Sequence, residues 1–258
     1  MEPARIAELL QPFLGQSTSV SPCYSERSEE SGVLTSAQLQ NISTYIDLLL
    51  RWNARINLTA VRQPEQVVTR HFGESLFAAR HLFPRMAQPA SFSHANNLNE
   101  GPAAGGQQPT TDDRPLVIDL GSGAGFPGLP IKIWAPHIEL TLIESNHKKA
   151  TFLREVVRAL ALTDVNVFCG RAEDYSASAN VVTLRAVERF EQALLIAARL
   201  VAPAGRLALL IGTNQVAVTA ELIPEFQWSA PIPVPQSTRR ILLVGTPPIR
   251  GNQVNHVS

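Results

Sequence analysis

The sequence is short of lysine, cysteine and aromatic residues, and its formal charges cancel. Only Lys132, Lys148 and Lys149 of the 22 basic residues are lysines, the net charge is zero, and aromatic residues make up 6%. A polyanionic partner must therefore meet a local basic face rather than the field of the whole protein. Cys23 and Cys169 stand far apart without C-x-x-C or histidine-partner spacing, which predicts two idle thiols and neither a disulfide nor a metal site.

Long apolar runs are also missing. No stretch approaches about twenty apolar residues, and the opening MEPARIAELL lacks the apolar core of a signal peptide. We therefore expect a cytoplasmic protein. A chain of 258 residues, 45% of them hydrophobic, can bury one sizeable core, or one core and a small accessory unit.

The first 84 residues predict a helical region. Apolar residues recur on one face of ARIAELLQPFL, and Thr35 with Gln38 fits a capping box at the start of a second helix. Pro64 opens a third helix, PEQVVTRHFGESLFAARHLF. Two segments lack periodicity and are predicted to be a flexible insertion at 15–32 and a disordered linker or insert at 85–114.

Strands and helices alternate from residue 115 to residue 250, followed by a tail at 251–258. The predicted strands are LVIDL, ELTLIE, VNVFC, NVVTL, GRLALLIG, FQWSAPIPV and RRILLVG. Helices are predicted between the first five, including one between the third and fourth strands and one over ERFEQALLIAARLVA. Such alternation predicts an α/β fold with a mostly parallel sheet. Only PQSTR separates the last two strands, which predicts an antiparallel hairpin. A seven-stranded sheet of this outline, preceded by helices, is typical of the Rossmann-like class I methyltransferase fold.

The segment DLGSGAGFPGLP follows the first strand and fits two cofactors. Gly123, Gly125 and Gly128 satisfy G-x-G-x-x-G, the dinucleotide pattern, whereas Asp119 with Gly121 and the next two alternate glycines gives D-x-G-x-G-x-G, the S-adenosylmethionine pattern. Asp119 discriminates between the two cofactors, because a carboxylate before the first glycine can brace the loop and receive the ammonium group of a methionine moiety.

Two further residues bear on this choice. Pro127 removes an amide donor at the helix start, where a pyrophosphate needs free N–H groups. Glu144, nineteen residues after Gly125, suits the ribose of either cofactor. S-adenosylmethionine is favoured, and a nicotinamide- or flavin-dependent oxidoreductase is the rival class.

Six motifs in order carry a family resemblance: LLRWNARINLTAVR, TRHFGESL, DLGSGAGFPGLPIKI, LIESNHKKATFLREV, GRAEDY and TLRAV. From about Leu48 to Gly245, apart from the insert, the chain resembles the bacterial glucose-inhibited division protein B family. The resemblance implies an S-adenosylmethionine-dependent enzyme that methylates nitrogen 7 of one guanine in 16S ribosomal RNA, free or in a small-subunit precursor.

The resemblance also implies site residues. With the loop acid, the cofactor set is Asp119, Gly121, Gly123, Gly125, Phe126, Glu144, Ala172, Glu173 and Arg185. Arg185 is expected to position the reactants, with no general base, because nitrogen 7 carries no proton to remove. The basic face expected around the pocket consists of Arg70, His71, Lys148, Lys149, Arg239 and Arg240.

Structural explanations remain open for several of these residues. Glu144 could be an exposed strand-end acid, Glu173 an ordinary first-turn helix acid, and Arg185 could pair with Glu188. Arg70 could form a surface ion pair with Glu74.

His71, four residues before Ser75, could be a capping or core histidine. The chain also departs from many relatives, since Ile211 stands where they carry lysine before a glycine, so a phosphate-holding lysine is in doubt here.

Other function classes remain. A small-molecule methyltransferase would share the sheet and the glycine loop. A non-catalytic RNA-binding protein would account for the arginines but not for the glycine loop. The protein is expected to act as a monomer, without metal and away from membranes.

Overall fold

The computed structural model describes residues 1–15, 33–84 and 114–248. The segments predicted as insertion (15–32), linker (85–114) and tail (251–258) fall outside the described residues except for Gly15 and Arg114, and so does Cys23.

The N-terminal region is helical, as predicted. Its elements are α1 (Pro3–Leu14), α2 (Ser36–Asn53), α3 (Pro64–Val67), a π-helical turn (Val68–Gly73) and α4 (Glu74–Leu82), the last three continuous. The capping box of α2 is present, because Thr35 Oγ1 accepts from Gln38 N at 3.2 Å and Gln38 Oε1 accepts from Thr35 N at 3.0 Å. The π-helical turn interrupts the predicted third helix, and π-turns are frequent at functional sites.

The remaining described elements alternate along the chain. They are β1 (Leu116–Leu120), α5 (Gly128–Trp134), β2 (Glu139–Glu144), α6 (His147–Ala159), β3 (Val165–Cys169), β4 (Ala179–Arg185), α7 (Phe190–Arg199), β5 (Val201–Gly212), α8 (Val216–Leu222), β6 (Gln227–Trp228), β7 (Ile232–Pro233) and β8 (Arg240–Thr246).

Two expectations about these elements were wrong, and one helix was missed. The chain between β3 and β4 forms only a 3₁₀ turn, Ala172–Asp174, because that serine-rich connection is too short for a crossover helix. Helix α7 ends at Arg199, since Val201 already pairs with Ala179 of β4. Helix α8 was not predicted, because seven residues show little periodicity.

The sheet has the strand order β3-β2-β1-β4-β5-β8-β6, and β7 also pairs with β8. The first five strands are parallel, and β8 runs antiparallel to β5. Both β6 and β7 pair antiparallel with β8, so the predicted strand FQWSAPIPV is one outer position with an interruption. The predicted seven-position sheet ending in an antiparallel hairpin is confirmed.

Two apolar layers enclose the sheet, because alternate strand residues face opposite sides. Val117 packs with the N-terminal helices, α5 and α6, while its neighbour Ile118 packs with α7 and α8. The strand order reverses between β1 and β4, and ligand clefts form at such a switch point, outside the carboxyl ends of the strands.

Candidate functional site

The glycine loop after β1 faces protein on one side and open space on the other. Gly121, Gly123 and Gly125 have φ values of +70°, +57° and +88°, a region that favours glycine. A Cβ on Gly125 would overlap the Tyr45 hydroxyl, whereas the nearest atom to a Cβ on Gly123 would be a loop carbonyl at 3.8 Å. Gly123 therefore forms a cradle that a side chain would fill, whereas Gly125 serves close packing.

Asp119 braces this loop from inside the protein. Its side chain is 0% exposed; Oδ1 accepts from Thr183 Oγ1 at 2.8 Å, and Oδ2 accepts from Gly128 N at 3.1 Å. Burial raises the pKa of Asp119 to about 6. The carboxylate takes the amide at the start of α5 that a pyrophosphate would require, so the loop suits a ligand without phosphate better. A contact from Asp119 to a ligand ammonium group stays a prediction.

Glu144 ties the end of β2 to the same loop. It is 6% exposed, and its two oxygens accept from Gly123 N and Asn146 N, each at 2.8 Å. The alternative of an exposed strand-end acid is therefore wrong. A carboxylate has about four acceptor positions, so Glu144 keeps lone pairs for the hydroxyls of a ribose.

A cleft of about 330 Å³ lies beside the loop. Its lining includes Gly121, Ile143, Gly170, Ala172, Glu173 and Val187. The carboxylate of Glu173 is exposed and pairs with Arg171 at 3.2 Å, in the first turn of a 3₁₀ helix. The structural explanation of Glu173 thus fits as well as a ligand contact does.

Arg185, at the end of β4, is buried against the N-terminal helices. Its side chain is 7% exposed, and Nη2 donates to Glu74 Oε2 at 2.9 Å and to the Arg70 carbonyl. The alternatives in which Arg185 pairs with Glu188 and Glu74 with Arg70 are therefore wrong. Arg185 Nε is buried and has no acceptor among the described residues, which is uncommon for a buried donor.

An aromatic stack links the N-terminal helices to the loop. The Phe126 ring stacks on two other rings. Its centroid is 5.4 Å from that of Tyr45, with an interplanar angle of 2°, and 4.8 Å from that of His71, with an angle of 22°. Phe72 meets the same ring edge-on at 5.2 Å. The Tyr45 hydroxyl also donates to the Ala124 carbonyl. Sequence reasoning missed Tyr45, because its spacing in α2 is that of any core residue.

His71 lies in the π-helical turn and is largely buried. Its Nε2 is 2.8 Å from Thr59 Oγ1 and its Nδ1 is 3.3 Å from Arg185 Nη2. Burial, followed by the charges of Arg185, Arg70 and Arg240, lowers the pKa of His71 to about 3. Sequence reasoning missed Thr59, although it stands in the RWNARINLT motif.

The predicted basic residues divide into two groups. Arg70 is exposed and Arg240 half-buried, and both act electrostatically on His71. Arg239 is exposed beside Arg240. Lys148 and Lys149 begin α6, where their amides donate to Asn146 Oδ1.

Two other residues complete the description of this region. Ile211 is 2% exposed and lies in the core, so this strand end offers no basic group at that position. Cys169 Sγ lies 3.1 Å from His147 Nδ1, a contact that sequence spacing did not indicate.

Among the described ranges no cluster of three or more metal-ligating side chains occurs, and none of their helices is long and apolar enough to cross a membrane.

The strand order, the terminal hairpin and the glycine loop at the switch point define a class I methyltransferase fold. The family model described as GidB, rRNA small subunit methyltransferase G, matches residues 38–87 and 106–230. The chain belongs to this family, which confirms the resemblance seen in its motifs.

Curated relatives carry the same description. A ribosomal RNA small subunit methyltransferase G from Xylella fastidiosa is 35% identical over 204 residues, 78% of this chain and 82% of the relative. One from Aquifex aeolicus is 37% identical over 64% of this chain and 71% of the relative. The match to the relative from Alkaliphilus metalliredigens is 37% identical and spans 46% of that protein.

Proposed function

We propose that this protein methylates nitrogen 7 of a guanine in 16S ribosomal RNA, with S-adenosylmethionine as methyl donor. The observation that carries the proposal is the open cradle at Gly123 beside the buried carboxylate of Glu144, in a chain of the rRNA small subunit methyltransferase G family.

Residues in the cleft and in the loop beside it suit this cofactor. Glu144 is proposed to accept from the ribose hydroxyls, Ala172 to line the adenine side of the cleft, and the open space at Gly123 to take the methionine moiety. When bound, S-adenosylmethionine supplies an electrophilic methyl group on sulfur. Arg185 is proposed to position the reactants from the end of β4, beside Phe126 of the glycine loop.

The chemistry at nitrogen 7 asks for positioning rather than proton transfer. Guanine nitrogen 7 has a lone pair and no proton, so the task of this chain is to hold base and methyl group in line, which lowers barriers by roughly 7 to 11 kcal/mol in favourable cases. A base inside folded RNA must be unpaired or flipped out to reach the cleft.

The RNA is proposed to meet the arginines around the cleft. Arg70 and Arg239 are exposed, and Arg240 lies close enough to act on His71, which gives this neutral chain a local basic face. Arg240 and Arg70 together are the strongest candidates for phosphate contacts. We propose that the enzyme acts in the cytoplasm as a monomer, and its oligomeric state is measured by light scattering.

Mass mapping of small-subunit RNA tests the proposal. RNA from a strain lacking this gene is treated with the purified protein and S-adenosylmethionine, and guanines with one added methyl group are located. We expect one new methylated guanine with the wild-type protein and none with a Gly123→Val variant. The RNA is tested both free of protein and within ribosomal particles. The proposal would be refuted if neither form gained a methyl group.

A further inference from the structure

Arg185 is held from one side only. Its Nη2 atom carries two hydrogens and lies within hydrogen-bond distance of three acceptors, so one hydrogen is shared: Glu74 Oε2 at 2.9 Å, the Arg70 carbonyl and His71 Nδ1 at 3.3 Å. All three belong to the π-helical turn and the first residue of α4. The orientation of a guanidinium at the end of β4 is thus set by a segment more than one hundred residues earlier in the chain.

The contact with Arg185 fixes the protonation of the His71 ring. A guanidinium has only donors, so Nδ1 must accept and the ring hydrogen must lie on Nε2. That hydrogen points to Thr59 Oγ1 at 2.8 Å. The amide of Val61 donates to the same oxygen at 3.1 Å, which holds the hydroxyl in place.

The surroundings of the ring favour its neutral form. It stacks on Phe126 at 4.8 Å, and the groups that face it are Arg185, Arg70 and Arg240. A proton on Nδ1 would oppose a hydrogen of Arg185 Nη2, so the contact exists only with Nδ1 bare. The low pKa of His71, about 3, agrees with this geometry.

We propose that His71 is a positioning residue for Arg185 rather than a contact to RNA. By accepting from Nη2 it fixes the rotation of the guanidinium, whose Nε is buried and has no acceptor among the described residues. The Arg185 guanidinium carbon lies 6.0 Å from the centre of the Phe126 ring, so the orientation of the guanidinium affects a residue of the glycine loop. This inference rests on the proposed function.

Two amide substitutions separate the two ring nitrogens. His71→Asn puts an amide oxygen close to the position of Nδ1 and keeps an acceptor for Arg185, whereas His71→Gln puts its amide close to Nε2 and keeps only the contact with Thr59. Both variants remove the stack on Phe126 equally. We expect S-adenosylmethionine to bind His71→Gln about tenfold more weakly than His71→Asn, measured by calorimetry.

A second variant tests the tautomer in a protein whose ring is intact. Thr59→Val removes the acceptor of Nε2, so the ring hydrogen is no longer held away from Nδ1. We expect Thr59→Val to weaken S-adenosylmethionine binding several-fold in the wild-type background and to have no further effect in His71→Asn. His81, whose Nδ1 contacts the Phe77 carbonyl, is the matched control site. Its Asn and Gln variants should bind S-adenosylmethionine with equal affinity.

A measurement on the ligand-free protein completes the test. Nitrogen NMR should report neutral His71 with its hydrogen on Nε2, and an Arg185 side-chain signal that shifts more in His71→Gln than in His71→Asn. Equal affinities of the two His71 variants, or an Nδ1–H tautomer in the wild type, would overturn the inference. A folded wild-type protein that binds no S-adenosylmethionine would instead refute the proposed function.

Discussion

His71 and Asp119 should give the stability of this protein two opposing responses to acid. The pKa of His71 falls from 6.5 to about 3 on folding, mainly because the ring is buried, so the unfolded chain takes up that proton first. The pKa of Asp119 rises from 3.8 to about 6, again through burial, so the folded state takes up that proton first. Acidification therefore removes the contribution of His71 and relieves the cost of a buried Asp119 charge.

The magnitudes follow from these pKa values. Between pH 8 and pH 5 linkage removes about 2 kcal/mol of stability through His71 and restores about 1 kcal/mol through Asp119. The wild type should thus lose only about 1 kcal/mol from this pair, less than His71 alone would suggest.

Urea unfolding at pH 8 and at pH 5, followed by tryptophan fluorescence, measures each response. Asp119→Asn should lose about 2 kcal/mol on acidification and His71→Asn should gain about 1 kcal/mol, because each variant keeps one titrating group. The cost of each substitution drops out, since the comparison is made within one variant. The double variant is the control, with neither contribution. An identical pH response in all four proteins would show that these burial arguments are wrong.

Three other outcomes are expected. Gly123→Val should abolish S-adenosylmethionine binding, because its side chain would enter the open cradle and a branched residue strains the loop at a φ of +57°; unchanged affinity by calorimetry contradicts that placement. Neutralising Arg239 and Arg240 to glutamine should weaken RNA binding and reduce the salt slope by roughly 0.7 for each phosphate that the protein no longer neutralises on a single strand; a slope equal to the wild type removes this pair from the RNA face. Excising residues 88–112 should leave methylation measurable, since that segment has too little apolar content to offset about 1 to 2 kcal/mol of ordering entropy per residue; loss of folding, seen by circular dichroism, would place the segment in the core.

Local features could be predicted well from the sequence. The capping box of Thr35 and Gln38, the bounds of β1 to β3 and the antiparallel end of the sheet follow from periodicity and short-range hydrogen bonding. These features depend on residues a few positions apart, and backbone sterics restrict them to a small number of forms. Resemblance to known sequences supplied the family, which composition alone does not define.

Side-chain partners across the molecule depended on the tertiary structure. Arg185 was expected to face the cofactor, with a surface pair to Glu188 as the alternative; its ion-pair partner is Glu74, because β4 and the π-helical turn meet at the switch point. His71 was expected on the RNA face, and only the packing of three segments shows it between Arg185 and Thr59.

The loop glycines show the same division. The D-x-G-x-G-x-G pattern by itself determined where the backbone bends, because positive φ angles select glycine. Only the packed structure decided that a side chain at Gly123 would meet open space, whereas one at Gly125 would meet Tyr45 of α2. Sequence patterns determine the local backbone conformation. Which side of the loop stays open depends on the distant side chains that pack against its other side.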